Sequence, residues 1–331
     1  MKILVTGADG FIGSHLVEKL VKKNHKVTAL CYYNSFNSIG NLNFLEKKML
    51  KKIDIKHGDV RDHAFIEDLI VGKDFIFNLA ALIGIPYSYS AYNSYLDTNI
   101  QGILNILNVL KKNPKPFLVH TSTSEVYGSA QYTPIDEKHP LVAQSPYAAT
   151  KIAADKLVES FNKSFSINSC IIRPFNTFGP RQSSRAVIPT AINQIVNLQK
   201  HIYFGKIDTI RDLTYIDDTI DAFCLCLKKK SKINGKTINL GVGKGYVIKK
   251  VINRILELEK SKSKIIIQEA RIRPDQSEVL KLISKNYLAK KLLNWTPRYS
   301  NSKNFDLALI KTIKWFKENN NNDSNFSKYI I

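Results

Sequence analysis

Two periodicities alternate along the chain. Short apolar runs, KILVT at 2–6, KVTALC at 26–31, IDIKHGDV at 53–60, DFIFNLAA at 74–81, FLVHTS at 117–122 and SCIIRPF at 169–175, read as strands. Between them lie segments whose apolar positions recur every three to four residues: SHLVEKLVKK at 14–23, a long amphipathic stretch from about 91 to 112, and 146 to 165. A βαβ rhythm of this kind predicts an α/β fold with a doubly wound, Rossmann-like parallel sheet, and ligands gather at the carboxyl ends of such strands. The rhythm breaks after Pro174 into the loop NTFGPRQSSRAVIP, followed by a helix from about 187 to 200. TIRDLTYIDDTIDAFCLCL then reads as strand and helix, and KTINLG as a short strand able to complete the sheet. Beyond Val247 the pattern is mixed helix and loop.

The expected organisation is a dinucleotide-binding domain over 1–176, completed by about 212–242. A smaller mixed α/β C-terminal substrate domain takes 177–211 and 243–320, and a frayed Asn-rich tail takes 321–331.

Glycine placement gives the first strand a chemistry. Gly7, Gly10 and Gly13, with Phe11 and Ile12 among them, fall between strand 2–6 and a helix. There glycine permits a tight turn, close approach of a pyrophosphate and close packing of helix on strand, and the helix N-terminus faces the phosphates. The second strand ends in Tyr32, Tyr33 and Asn34, without the Asp or Glu of an NAD site or the Arg of an NADP site. Cofactor preference therefore stays open on chemistry alone, with Asn34 the polar candidate. Asp59, next to Val60, suits either the adenine edge or an ordinary acidic turn. Leu79, Ala80 and Ala81 offer small side chains where a cofactor passes close.

The stretch from Thr121 to Lys151 supplies a base. Thr123, Ser124 and Glu125 in TSTSEVYG precede Tyr147 and Lys151 in SPYAATK. Four residues apart on a helix, Tyr147 and Lys151 share a face, and the ammonium favours a phenolate over a phenol that ordinarily titrates near ~10.

Composition changes the picture only in its charge. With 44% hydrophobic and 23% charged residues among 331, the chain is of ordinary globular type. No apolar run reaches membrane-span length and no leader precedes KILVT, which places the protein in the cytoplasm with no membrane partner. Cys31, Cys170, Cys224 and Cys226 have neither zinc nor CxxC spacing and read as buried thiols, and no metal site is expected. The net charge of +21 is scattered along the chain, which favours compositional bias with an anionic substrate over a nucleic-acid partner.

GADGFIG, NLAA, TSTSEVYG, SPYAATK, RPFNTFGPRQ and IRDLTYIDD, in order across almost the whole length, resemble the extended short-chain dehydrogenase/reductases that modify nucleotide sugars. Within that class Glu125 resembles the C5 base of 4,6-dehydratases. YNSFNS, ALIGIPYSY and PRQSSRAVIPT resemble the dehydratases of legionaminic-acid pathways, of the GDP-N-acetylglucosamine type. The resemblance implies an NAD-dependent lyase, NADP not excluded, that acts on GDP- or UDP-N-acetylglucosamine. Tyr147 and Lys151 then also touch the cofactor, Thr123 assists Tyr147, and Ser124 stands where dTDP-glucose dehydratases carry an acid. Asn176, Arg185, Arg211 and Arg273 hold the diphosphate, Tyr87 the sugar, and the helices at 91–112 and 146–165 form a homodimer contact. The Thr-Ser-Glu triplet also occurs in UDP-glucuronate decarboxylases, which are the rival together with 4-epimerases.

Overall fold

β1 (Lys2–Thr6) is apolar on both sides because it lies at the centre of a sheet covered on both faces. Ile3 and Val5 enter one core and Leu4 the other, all with no exposed surface. Burial of that kind stabilises by about 1.5–3 kcal/mol for each large aliphatic side chain. A computed structural model describes residues 1–319 and places β1 between two parallel neighbours. On one side lies β2 (Lys26–Tyr32), then β3 (Ile53–Gly58); on the other lies β4 (Phe75–Asn78), then β5 (Phe117–Thr121) and β6 (Ser169–Pro174). Strand Thr237–Leu240 pairs in parallel with β6 and completes a seven-stranded sheet.

Helix α1 (Phe11–Lys22) and the helix Ile216–Ile233 cover one face, and the helices His63–Ile70, Gly102–Lys112 and Pro146–Phe165 cover the other. The strand order reverses between β1 and β4, so their carboxyl ends open a crevice. DFIFNLAA was expected as strand to its end, but β4 stops at Asn78. The Thr6 hydroxyl takes the Ala80 amide (3.1 Å), shares that of Leu79 (3.2 Å) with the Thr6 carbonyl (3.3 Å) and donates to Asn78 Oδ1 (2.6 Å), and the ladder ends there.

The expected helix at 91–112 is built from Tyr92–Tyr95, a π-helical stretch over Leu96–Gln101, and Gly102–Lys112. The wider turn presents Asn99, whose amide bonds Leu82 O (3.0 Å) and Thr150 Oγ1 (3.0 Å) while its oxygen accepts from Leu82 N (2.9 Å). A strand at Ile210–Asp212 lies between Gly245–Val247, antiparallel, and Lys281–Leu282, parallel. Buried Asp212 ties it to the end of the main sheet by accepting from Val242 N and Gly243 N (2.8 Å each) and from Ser284 Oγ (2.7 Å).

The four cysteines are free and buried. No described helix is long and apolar enough to cross a membrane. The expected tail at 321–331 lies outside the described residues.

Candidate active site

The turn after β1 is closed by contact rather than by side-chain bonds. Gly7 has φ +63°, and a Cβ there would lie 2.8 Å from Ala80 N; a Cβ on Gly13 would lie 2.1 Å from Gly7 O. Gly10 caps α1 with no side-chain acceptor on its first amides. These features form a cradle that suits a pyrophosphate, with Phe11 and Ile12 in the opening turn of the helix. Leu79 and Ala80 line the opposite wall through their bonds to Thr6, and half-buried Ala81 follows.

The adenosine side departs from expectation at Asn34. Its amide donates to Tyr32 O (3.1 Å) and Ser38 O (2.9 Å), and its oxygen accepts from Phe36 N (3.2 Å) and Ser38 N (2.9 Å). Loop closure thus saturates the side chain, so it offers a cofactor nothing beyond its backbone. Asp59 accepts from Arg61 N and Arg61 Nε, both at 2.9 Å, so much of its capacity is engaged locally. Val60 is buried against Gly102, where a Cβ would lie 2.8 Å from Val60 Cγ2.

β5 delivers Thr121 to the crevice, and the turn Ser124–Tyr127 follows, capped by the Thr123 hydroxyl accepting from Glu125 N at 3.2 Å. Ser145 caps the next helix by accepting from Ala148 N at 3.1 Å, and Pro146 takes its first position. Tyr147 and Lys151 therefore project from the first turns of one helix, 6% and 3% exposed. Ser124 is buried, whereas Thr123 and Glu125 are half-exposed beside it.

Electrostatics revise the expected activation of Tyr147. Burial pushes the phenol well above its ordinary value; the hydrogen bond with Thr123 opposes this, and the negative charges of Glu125 and Asp155 add to it. Lys151 donates to Thr121 O at 2.8 Å, and burial lowers its pKa to about 8, with Asp155 acting against that fall. The protein alone therefore holds Tyr147 as a phenol. A positively charged oxidised nicotinamide bound in the cleft would be a further charge favouring its ionisation.

Behind these groups runs a buried polar row that sequence reasoning missed. Asn78 Nδ2 meets His120 Nδ1 at 3.2 Å; Asp155 Oδ2 accepts from Arg173 Nε (3.0 Å), Arg173 Nη2 (2.9 Å) and Ser122 Oγ (2.8 Å). Arg173 Nη1 donates to the Tyr127 hydroxyl (2.9 Å), which donates to Asn239 Oδ1 (2.7 Å). Burial and the Lys151 charge press the His120 pKa well down, so His120 is a neutral core histidine.

The chain's far end closes on the same site. Arg211 is 7% exposed and bonds Glu278 at 3.3 Å; burial lowers its pKa, the charges of Glu125 and Glu278 raise it, and Arg273 lowers it. Glu125 thus acts electrostatically on both Tyr147 and Arg211, although 22 and 86 residues separate it from them in the sequence. Asn176 Oδ1 is buried without a partner among the described residues. Arg185 is exposed, close enough to Tyr95 for its charge to act there, and the Tyr95 ring stands 6.2 Å from that of Tyr147 and 6.1 Å from that of Tyr87. No cluster of His, Cys, Asp and Glu able to hold a metal occurs among the described residues.

A family model described as GDP-mannose 4,6 dehydratase matches residues 4–305. The chain belongs to this family. It is an enzyme of the nucleotide-sugar dehydratase and epimerase group within the extended short-chain dehydrogenase/reductases. Relatives of the family enzyme include the uncharacterized UDP-glucose epimerase YtcB of Bacillus subtilis, 33% identical over 91% of this chain and 94% of that protein. A UDP-N-acetyl-alpha-D-glucosaminuronate decarboxylase of Bacillus cytotoxicus is 28% identical over 96% and 98%. Among solved structures, UDP-glucuronic acid 4-epimerase from Bacillus cereus, in complex with NAD and a fluorinated UDP-sugar, superposes with a TM-score of 0.87 at 26% identity, covering 96% of this chain and 99% of that one. The dTDP-glucose 4,6-dehydratase of Bacillus anthracis, in complex with NAD, gives 0.83 at 26%, covering 96% and 97%. NAD is the cofactor of the family, and the glycine cradle fits it.

Proposed function

We propose that the family enzyme is a nucleotide-sugar 4,6-dehydratase that uses NAD and takes GDP- or UDP-N-acetylglucosamine to the 4-keto-6-deoxy sugar. The observation that carries this is the position of Glu125, a carboxylate electrostatically linked to Tyr147 on one side and to Arg211 on the other. Elimination across C5 and C6 requires a base near the C4 base, because C5 adjoins C4; the Thr123 hydroxyl, which accepts from Glu125 N at 3.2 Å and bonds the Tyr147 phenol, links the two groups.

Held at the turn of Gly7, Gly10 and Gly13, NAD would supply a reversible hydride acceptor for C4 and C6. The chain's own residues do the rest. Tyr147 removes the proton of the C4 hydroxyl, with Thr123 bonded to the phenol and Lys151 held at the base of the cleft. The ketone acidifies C5–H, and Glu125 takes that proton. Loss of water from C6 needs an acid; Glu125, newly protonated, is the one at hand, while Ser124 orients the leaving group or a water. When hydride returns to C6, Glu125, reprotonated from solvent, gives C5 its proton back, and the C4 hydroxyl proton held by Tyr147 returns to solvent, so the step balances as loss of one water. Arg211 and Arg273 bind the diphosphate, for which a planar guanidinium is well shaped, and Asn176 and Arg185 complete its contacts, with Tyr87 on the sugar side. Exposed Tyr92, Leu96 and Phe165 (57%, 46% and 41%) suit the homodimer contact of the helices at 91–112 and 146–165.

The test is product mass after incubation with GDP-N-acetylglucosamine, UDP-N-acetylglucosamine and UDP-glucuronate. A product lighter by one water supports the reading. A changed sugar configuration at constant mass identifies a 4-epimerase, and loss of carbon dioxide from UDP-glucuronate alone identifies a decarboxylase; either result overturns it.

A further inference from the structure

The carboxyl end of β2 carries no acid, yet a carboxylate stands there. Tyr32 and Tyr33 are 58% and 67% exposed, and Asn34 is saturated within its own loop. Asp9, from the glycine turn, reaches across so that its Oδ2 accepts from the Tyr32 amide at 3.2 Å. The loop that follows β2 packs on the same residue. Asn41 N donates to Asp9 O at 2.9 Å, and a Cβ on Gly40 (φ +53°) would lie 2.6 Å from Asp9 O and 2.9 Å from Asp9 Cβ. Asp9 Oδ1 has no partner among the described residues, and a carboxylate oxygen accepts more than one hydrogen bond.

In a doubly wound fold the hydroxyls of the adenosine ribose are held at the end of the second strand, by an acid where the cofactor is NAD and by an arginine where a 2′-phosphate must be neutralised. A cation at this edge is Arg61, close enough to Tyr32 for the two to interact electrostatically. Its guanidinium forks onto Asp59, with Nε at 2.9 Å and Nη2 at 2.5 Å, so its charge is already matched. A 2′-phosphate arriving here would meet the Asp9 carboxylate, with the Arg61 charge already matched by Asp59.

We propose that Asp9 takes the part of the missing strand-end acid, accepting hydrogen bonds from the adenosine ribose hydroxyls and selecting NAD over NADP by repelling a 2′-phosphate. The inference rests on the dinucleotide-site reading and is independent of which reaction the enzyme performs.

The test is equilibrium binding of NADH and NADPH to the full chain, freed of bound nucleotide and followed by nicotinamide fluorescence. The wild-type protein is expected to bind NADH more tightly by about tenfold or more. Asp9→Asn keeps an oxygen for the Tyr32 amide and removes only the charge, so a structural role survives it while an electrostatic one does not. It is expected to narrow the NADH/NADPH ratio by about fivefold or more, mainly through tighter NADPH. A ratio unchanged in Asp9→Asn, or equal affinities in the wild type, overturns the proposal. Should the variant not fold, displacement of NADH from the wild type by AMP and by adenosine 2′,5′-bisphosphate decides alone: weaker displacement by the bisphosphate supports the assignment, and equal or stronger displacement overturns it. Selective NADH binding in a protein that turns over no nucleotide sugar leaves this assignment standing and sinks only the dehydratase reading.

Discussion

Lys151 donates its ammonium to the carbonyl of Thr121 at 2.8 Å, a contact spanning 30 residues that binds the helix Pro146–Phe165 to the end of β5. Burial lowers its pKa from 10.5 to about 8, with Asp155 opposing the fall. The charged and titratable groups that act with it are Asp155 on its own helix and His120 on β5, with Arg173 on β6 matching Asp155. Lys151 is therefore charged below about pH 8 and loses its proton as pH rises through that value. If the ammonium is needed, kcat/KM falls on the alkaline side near pH 8, and Lys151→Arg, which does not titrate in that range, removes this limb. A limb unchanged in Lys151→Arg assigns it to another group. The sign for stability is the reverse. Below about pH 8 the buried charge costs stability, and the cost is relieved as pH rises from there toward 10.5.

Glu125→Gln keeps size and hydrogen bonding but cannot remove the C5 proton. We expect dehydration to slow by about 10²–10⁴-fold with substrate binding retained. Solvent deuterium should also stop appearing at C5, and full turnover in this variant would remove Glu125 from the mechanism.

On the proposed mechanism, Tyr147→Phe removes the base for the C4 hydroxyl. The first oxidation, followed as the absorbance of reduced nicotinamide in a single turnover, should fall by about 10²–10⁴-fold, with substrate affinity little changed. Because burial and the Glu125 charge raise this phenol, Glu125→Gln should also move the Tyr147 titration downward.

Asp155→Asn leaves the Arg173 guanidinium, 2% exposed, without its counter-charge. We expect a loss of roughly 3–5 kcal/mol in denaturant unfolding, because an unmatched buried charge costs far more than the pair contributes. Pairing the change with Arg173→Met should recover part of it; an additive loss in the double variant would contradict this account.

Legibility followed sequence distance. The strands, the glycine turn and the Tyr147–Lys151 helix were readable because periodicity, capping and turn chemistry act within a few residues. β4 was read too long because its end depends on the hydroxyl of Thr6, 72 residues earlier. The π-helical turn at Leu96–Gln101 was missed because an amphipathic pattern does not distinguish it from α-helix. At Asn34 position alone points to the cofactor, while the loop it closes depends on local geometry that a residue list does not carry. Glu278 gave no signal, since its importance lies in a contact with Arg211 that crosses 67 residues.

Sequence alone determined the doubly wound class, the candidate base and acid residues, and the need for a dinucleotide, since each rests on residue type at short spacing. Tertiary structure decided what those residues can do. It buried Tyr147 so that its phenol is raised rather than lowered, turned Lys151 onto the Thr121 carbonyl, and brought Glu125 within electrostatic reach of Arg211. It also set Asp9 at the end of a strand that carries no acid of its own. The physical reason is common to all four: desolvation and charge pairing depend on which groups meet in space, and chain order does not encode that directly.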